Sequence, residues 1–303
     1  MSDPLADFVT LLQPRAPFSK RVSGAGRWCV RRTEFGQPFY CVVLEGTVRL
    51  AVDGHTTVTL ENGDFVLIPS MPGFTMSSDD DAGAGQPSAA PLLLPDGEYR
   101  QGRPSGAPDV RLLIGHLVFD SPDTALLVSL LPKLVHVRGQ ARLSTLVQLV
   151  GDECRAQRPA RDVVLERLLQ VMLIEALRSF SGSVEVPGLL RGLADPRLAA
   201  ALRGMHERPA HPWTVGELAR EAALSRSVFY ERFTRALGSA PMEYLLAWRM
   251  ARAKRRLREG RGSIAEVAAE SGYSSASTFT VAFSRHVGAS PAKFARAGNQ
   301  GMT

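Results

Sequence analysis

The 303-residue sequence predicts an α+β chain. A small antiparallel β-barrel comes first, then a helical dimerisation and linker region, then an all-α domain of two helix-turn-helix motifs joined by a long helix. Three observations predict this. Short β-branched runs separated by Gly, Pro and Asp turns occupy residues ~20–120. The apolar period then lengthens to that of a helix. Finally, a Ser-headed, partly cationic stretch closed by Gly-x-x-Pro is written twice, as SRSVFYERFTRALGSAP (Ser225 to Pro241) and SSASTFTVAFSRHVGASP (Ser274 to Pro291).

Composition narrows the class. With 45% hydrophobic and 22% charged residues the chain is globular, and it has length for two cored domains. No apolar run approaches the ~20 residues of a membrane span. The opening MSDPLADFVTLLQPRAPF lacks the basic and apolar regions of a signal peptide. Three cysteines, Cys29, Cys41 and Cys154, cannot all pair, which suits a reducing, cytoplasmic setting. The net charge of +6 is segregated: from Leu190 onward 18 Lys+Arg face 9 Asp+Glu, and before it 18 face 21. The C-terminal third therefore carries about +9, which points to a polyanion partner or, more plainly, to a solvated basic surface.

Taken in order, WCVRR, FYCVVLEGTVRLAVDG, HTTVTL, GDFVLIP and VRLLIGHLVF read as strands, with Asp53-Gly54 as a hairpin turn. Strands at this spacing suggest a small barrel or jelly roll. SSDDDAGAGQPSAAP (Ser77 to Pro91) has too few apolar residues to fold by itself and reads as a loop. Residues ~121–185 read as helical. Leu126, Leu127, Leu130 and Leu131 are followed by Leu143, Leu146, Val147 and Val150, then by a wide stripe of Leu165, Leu168, Leu169, Met172, Leu173 and Ala176. That stripe packs on the barrel, on a second copy of the chain, or on both. GSVEVPG (Gly182 to Gly188) reads as a linker, which gives domains 1–186 and 190–303. Asp195-Pro196 then opens an all-helical region, Asp as N-cap and Pro at the first helical position.

The two copies align closely. Ala219, Glu221 and Leu224 match Ala268, Glu270 and Tyr273 at an offset of 49; Phe229, Phe233, Gly238, Pro241 and Tyr244 match Phe279, Phe283, Gly288, Pro291 and Phe294 at 50. One residue is thus added in the turn or at the start of the second copy's longer helix. Each unit is a short helix, a three- to four-residue turn and a longer helix. The Phe pairs, four apart, face inward. On the first longer helix Arg226, Ser227, Tyr230 and Glu231 face the other way, with Thr234 and Arg235 beyond. Such a helix, presenting polar side chains from its N-terminal half, suits entry into a ~12 Å major groove. Between the units, PMEYLLAWRMARAKRRLREG reads as one helix carrying Arg249, Arg252, Lys254, Arg255, Arg256 and Arg258, cations suited to phosphate contacts. A rigid rod of this kind would set the two longer helices about 34 Å apart on one face of DNA. For either unit alone the plain alternative is an ordinary helical hairpin.

On these residues, ~195–297 resemble the DNA-binding domain of the AraC/XylS family of bacterial transcription regulators, and IAEVAAESGYSSASTFTVAFSRHVGASPAKF is similar to that family's C-terminal signature. The order barrel, helices, tandem helix-turn-helix resembles the same family's arrangement with a cupin-like sensor domain. The resemblance implies double-stranded DNA as partner, a small-molecule effector, RNA polymerase, a homodimer and an activating output. It implies base-facing positions at Arg226, Ser227, Tyr230 and Glu231 and, in the second unit, at Ala276, Ser277, Thr280 and Val281. The second set lacks Arg, Lys, Asn and Gln, the residues best suited to bidentate base reading. The first unit is therefore expected to carry most direct readout, helped by Arg235. The second is expected to position the protein through Ser274, Ser275, Ser284, Arg285 and helix N-terminal amides, with Arg255 and Arg256 on phosphates.

The barrel offers three readings. GDFVLIPSMPGF (Gly63 to Phe74) resembles the second cupin motif, but Met71 stands at its Gly and Phe74 at its His. The six His do not cluster at ligand spacing, although Glu34, His55 and His116 could converge in a metal-dependent enzyme. No metal or cofactor is expected. An effector pocket, relatively apolar, is the expected use, with Trp28, Tyr40, Arg49, Phe74 and His116 as candidate lining residues. Cys29 and Cys41, on neighbouring expected strands, give a thiol redox switch as the other alternative, against inert buried cysteine.

Overall fold

A computed structural model describes residues 3–33, 37–70, 73–78, 90–156, 158–179 and 187–300, with the side chains of 16–18 and 298–300 outside that set. The linker at 182–186 and most of the loop between Ser77 and Pro91 lie outside the described residues, as do Glu34 and Met71. Two compact units emerge, and they do not follow a single cut in the chain. Residues 14–118 and 133–179 form a sheet unit. Residues 3–13, 119–132 and 187–300 form a helical unit. Both the N-terminal segment and 119–132, which a division at 186/190 assigns to the first domain, thus pack with the helices.

In the sheet unit the strands are β1 (Pro14–Ala25), β2 (Cys29–Arg32), β3 (Phe39–Val52), β4 (Val58–Glu61), β5 (Phe65–Ile68), β6 (Phe74–Ser77), β7 (Leu92–Leu93), β8 (Tyr99–Gly102), β9 (Val110–Phe119) and β10 (Val135–Val137). Their order is β10-β5-β3-β9-β1-β8-β7, with β4 and β6 also on β3 and β2 on β6. The long β3 makes this possible. Its first half pairs with β5 and β9 and its second with β4 and β6, and an irregularity between Val43 and Glu45 marks the change. Two features differ from the expected barrel. Among the described residues the strand path does not close, so the sheet is a curled half-barrel. It is also not wholly antiparallel, because β1 and β8 run parallel, Val22 opposite Tyr99. The Asp53-Gly54 hairpin joins β3 to β4 as expected, Gly54 supplying the positive φ of 80°.

Apolar residues of the curled face form the core, among them Phe39, Cys41, Val43, Leu50, Leu60, Val66, Phe74 and Leu112. The opposite face is covered by two helices, which we number after two helices of the other unit: α3 (Ala141–Ala156) and α4 (Arg161–Ser179). They pack on each other, α3 on β3, and α4 on β1 and β10. Leu165, Leu169, Met172, Leu173 and Ala176 are buried there, so most of the expected stripe is used within this unit. Leu149, Val163, Val164 and Val171 remain exposed. The short β10 lies in a stretch read as helical. It is fastened where His136 Nε2 lies 2.9 Å from buried Asp64 and Arg138 salt-bridges the same carboxylate. Burial alone would raise the Asp64 pKa, but these bonds and the Glu61 amide hold it below the ordinary carboxylate value.

The helical unit contains α1 (Pro4–Leu12), α2 (Thr124–Ser129), α5 (Leu189–Ala194), α6 (Pro196–Glu207), α7 (Val215–Glu221), α8 (Arg226–Leu237), α9 (Pro241–Arg258), α10 (Ile264–Glu270), α11 (Ala276–Val287) and α12 (Pro291–Gln300). Asp3 caps α1 and Asp195 caps α6 in the same way, each followed by Pro at the first helical position. Through Asp7, α1 reaches the buried His206 of α6, whose ring stacks on Trp248 at 3.8 Å and lies 2.8 Å by Nε2 from the Tyr244 hydroxyl. Burial lowers the His206 pKa, with Arg252 adding to it and Asp7 and Asp3 opposing. A lowered histidine pKa stabilises the fold above the unfolded value of about 6.5, and that contribution is lost as pH falls below it. Thermal midpoints should therefore drop below about pH 6.5, and His206→Gln should flatten that dependence; an unchanged slope in the variant would assign it to another group.

The duplication is visible atom by atom. Thr214 and Ser263 head α7 and α10, each with a reciprocal Glu three residues on, Glu217 and Glu266. The Phe229–Phe233 ring centroids are 5.5 Å apart and those of Phe279–Phe283 5.4 Å. Phe233 meets Tyr244 edge-on at 5.8 Å, and Phe283 meets Phe294 at 5.7 Å. Gly238 and Gly288 end α8 and α11 with the same φ of 79°. Because Ser225 and Ser275 both cap their helices, the added residue falls in the second turn, at Ser274.

The turns differ in one costly respect. Gly272 takes φ +82°, while its counterpart Ala223 is held at +49°. A Cβ in that region is strained, so Ala223→Gly should stabilise by about 0.5–1 kcal/mol after the extra chain entropy of Gly is subtracted. Gly272→Ala should destabilise, its Cβ falling 2.9 Å from the Ala210 carbonyl oxygen. Urea midpoints of the two variants moving in the same direction would contradict this assignment.

Candidate nucleic-acid interface and small-molecule cavity

On α8, Phe229, Phe233, Ala236 and Leu237 are buried, and Arg226, Ser227, Tyr230, Glu231 and Arg235 are all exposed. The helical repeat gathers the exposed group at i, i+4 spacing, 226 with 230 and 227 with 231 and 235. Arg232 is drawn to the side, into an ion pair with Asp195. The Ser225 hydroxyl accepts from the Val228 amide, one of the first-turn N–H groups that have no partner within the helix.

In α11 the face is quieter. Phe279 and Phe283 are buried; Ser277, Val281 and Arg285 are exposed. The Ser275 hydroxyl accepts from the Thr278 amide at 3.2 Å, and Thr280 Oγ1 donates to the Ala276 carbonyl at 2.7 Å. Both hydroxyls thus already serve the helix. Outward, α11 presents the 70% exposed Val281, Thr278, the Arg285 guanidinium, His286 and the Ser277 hydroxyl, which lies 3.0 Å from the Ser275 hydroxyl.

The cations of α9 are largely occupied, which the sequence reading of a bare cationic rod did not anticipate. Arg249 donates to the carbonyls of Pro209 and His211. Lys254 is buried against Asp123, and Arg258 pairs with Asp120. Arg255 pairs with Glu259 one turn on, and Arg256 with Glu270 of α10. Phosphate contact by Arg255 or Arg256 would thus be an exchange of partner.

Within the sheet unit a cavity lies against the curled face. Val22, Trp28, Val30, Phe39, Phe74, Met76, Leu112 and Ile114 supply apolar wall; Lys20, Arg32, Tyr99 and Gln101 supply the polar groups. Of the five candidates from sequence, Trp28 and Phe74 line it. His116 lies beside it, its ring edge-on to Phe39 at 6.0 Å. Tyr40 does not. It alternates with Phe39 onto the other face, where it is fully buried and bonded to the Ser19 hydroxyl. Arg49 alternates outward between buried Val48 and Leu50. Sequence reasoning missed Lys20, Arg32, Tyr99 and Gln101, although the period of two was available: Trp28, Val30 and Arg32 share one face, as do Lys20 and Val22.

The thiol alternative meets a geometric obstacle. Cys29 pairs with Ser77 on β6, which in turn pairs with Arg49, whereas Cys41 sits near the other end of β3 between β5 and β9. They are not on neighbouring strands. Burial also raises the Cys41 thiol pKa well beyond the ordinary value, which makes it a poor nucleophile. Of the metal candidates, His55 stands in the β3–β4 turn and His116 beside Phe39. Among the described residues no group of three His, Cys, Asp or Glu is placed to hold a metal ion. No helix among them is long and apolar enough to cross a membrane.

The curled half-barrel with its cavity and the helices with helix-turn-helix geometry are the two parts that this chain shares with known proteins. A cupin family profile matches residues 3–181, and a helix-turn-helix domain profile matches 218–297. A putative AraC-like transcription regulator of Streptomyces antibioticus is 37% identical over 302 residues, covering 96% of this chain and 98% of that protein. Another, of Streptomyces lividans, is 36% identical over 299 residues, covering 96% and 97%. Among solved structures, the DNA-binding domain of AdpA, a global transcriptional factor, in complex with a target DNA is 34% identical, covering 34% of this chain and 92% of that one, with a TM-score of 0.32. The chain belongs to the AraC-like family of DNA-binding transcription regulators.

Proposed function

We propose that α7–α8 and α10–α11 act as two helix-turn-helix readers, joined by α9, that lay α8 and α11 into successive major grooves on one face of DNA. The observation that carries this reading is the near-identity of the two units in ring packing and C-caps, each holding an outward helix face away from a Phe pair. Direct base reading falls to Arg226, Ser227, Tyr230 and Glu231, with Arg235 behind them. Ser277, Arg285 and Val281 fix the second unit, Val281 suited to a thymine methyl. Ser275 and Thr280 hold α11 in shape, and Arg255 and Arg256 take phosphates only by leaving Glu259 and Glu270.

The half-barrel cavity is the effector site in this reading, and the cupin-type unit senses rather than catalyses. The chain itself supplies a route for the signal. Strands β1 and β9 both contribute cavity wall, and in sequence they continue into α1 and 119–132, segments of the helical unit. The amide of Asp120 donates to the carbonyl of Gln13, joining those segments to one another. A ligand that favours one arrangement of β1 and β9 therefore has a covalent lever on α1 and α2. The exposed apolar residues of α3 and α4 support a homodimer through that face. We take the output as activation through RNA polymerase, in the compartment that holds the DNA; a reporter that falls when the regulator is expressed would make it a repressor.

Binding of the full chain to DNA upstream of its own gene, followed over a salt series, tests the reader assignment. Selective binding with a moderate salt slope is expected, since many α9 cations are already paired. Equal affinity for unrelated DNA at all salt concentrations would contradict it. The full chain is required, because a 190–303 fragment lacks Asp120, Asp123 and Asp7.

A further inference from the structure

The cavity carries an unusual polar set for an apolar pocket. Among its described lining residues are two cations, Lys20 and Arg32, and no carboxylate. Lys20 Nζ sits 4.6 Å from the centre of the Tyr99 ring, so its charge is held against an aromatic face. Its basicity is lowered by burial and by the nearby Arg32. The half-buried Lys20 and the exposed Arg32 thus bring two like charges to one cavity, and an anion bound between them would offset their repulsion. Behind them the wall is apolar and aromatic, with Trp28, Phe39 and Phe74 as its large surfaces. Trp28 can lie flat there because Gly24 faces it: a Cβ at 24 would fall 2.2 Å from its Nε1.

We infer that the effector is an amphipathic monoanion, a compact hydrophobic body ending in a carboxylate, with the carboxylate on Lys20 and Arg32 and the body against Trp28, Phe39 and Phe74. This rests on the cavity being the effector site. A neutral sugar leaves both cations unneutralised and the aromatic wall poorly used. A polyanion such as a nucleotide triphosphate carries more charge than the two cations can meet. A purely apolar ligand fills the wall and leaves the charge repulsion in place.

The test uses calorimetry and thermal shift on the full chain with octanoate and 4-phenylbutanoate, each beside its primary amide. The acids are expected to bind at least ~10-fold more tightly than the amides, since each amide lacks the charge that the two cations meet. Lys20→Gln and Arg32→Gln, both at accessible positions, should each weaken the acid by about 10-fold and leave the amide unchanged. Equal binding of acid and amide overturns the anionic class and leaves the cavity as an effector site. Acid binding that survives both substitutions, and also survives filling the cavity with Ile114→Trp, overturns the cavity reading with it. No binding by either series below about 1 mM overturns the inference.

Discussion

Asp123→Ala should destabilise the helical unit by about 3–5 kcal/mol, the range for removing one partner of a buried ion pair. Lys254 of α9 and Asp123 before α2 keep only 10% and 9% of their side-chain surface exposed. Asp123 Oδ2 is buried and has no hydrogen-bond partner among the described residues, so the pairing of Oδ1 with the ammonium carries the compensation for the carboxylate's burial. Deleting the acid leaves the ammonium desolvated without compensation. A pair of this kind is a weak source of net stability but a strong source of specificity, so Asp123→Leu with Lys254→Met should recover most of the loss. Urea unfolding of the two single variants and the double variant measures the coupling. A loss below about 1 kcal/mol in Asp123→Ala would mean that Lys254 reaches solvent by extending its chain. The double variant is the more informative regulator. It should fold, bind DNA and respond less to effector, because residues 120–123 continue from cavity strand β9.

The second large effect concerns recognition. Arg226→Ala should reduce specific binding by about 1–3 kcal/mol, the worth of one bidentate contact to guanine, with non-specific binding much less affected. Arg226 stands on the exposed side of the first turn of α8, where a recognition helix points its base-reading residues. Lys in its place should not restore affinity, because an ammonium lacks the planar fork. Thr280→Ala should cost little, since the Thr280 hydroxyl already donates to its own helix. Unchanged operator affinity in Arg226→Ala would remove α8's N-terminal face from the interface.

Much of this was legible in the sequence because the signals were local. VRLLIGHLVF is β9 from first residue to last, and PMEYLLAWRMARAKRRLR is α9, since period, caps and breakers act over a few residues. The repeat was legible because both copies solve one packing problem with the same Phe pair, Gly stop and Pro start. What escaped is non-local. The partners of Lys254 and Arg258 lie 131 and 138 residues earlier, so a cationic helix read alone looked available for phosphate. The parallel β1–β8 pairing brings Val22 opposite Tyr99, which no turn signal announces. Two omissions were avoidable. Asp3-Pro4 carries the same helix start as Asp195-Pro196, and the alternation through Trp28, Val30 and Arg32 put an arginine on the cavity face.

The central claim is that the repeated helices α8 and α11 read DNA together. Methylation-protection footprinting of the full chain on its selected site tests it most directly. Two protected major-groove patches on one face, centred about 10–10.5 base pairs apart, are the expected result, with the patch under α8 weakened in Arg226→Ala. A single patch unaffected by substitutions in α11 would show that only one unit reads DNA, and would contradict the account.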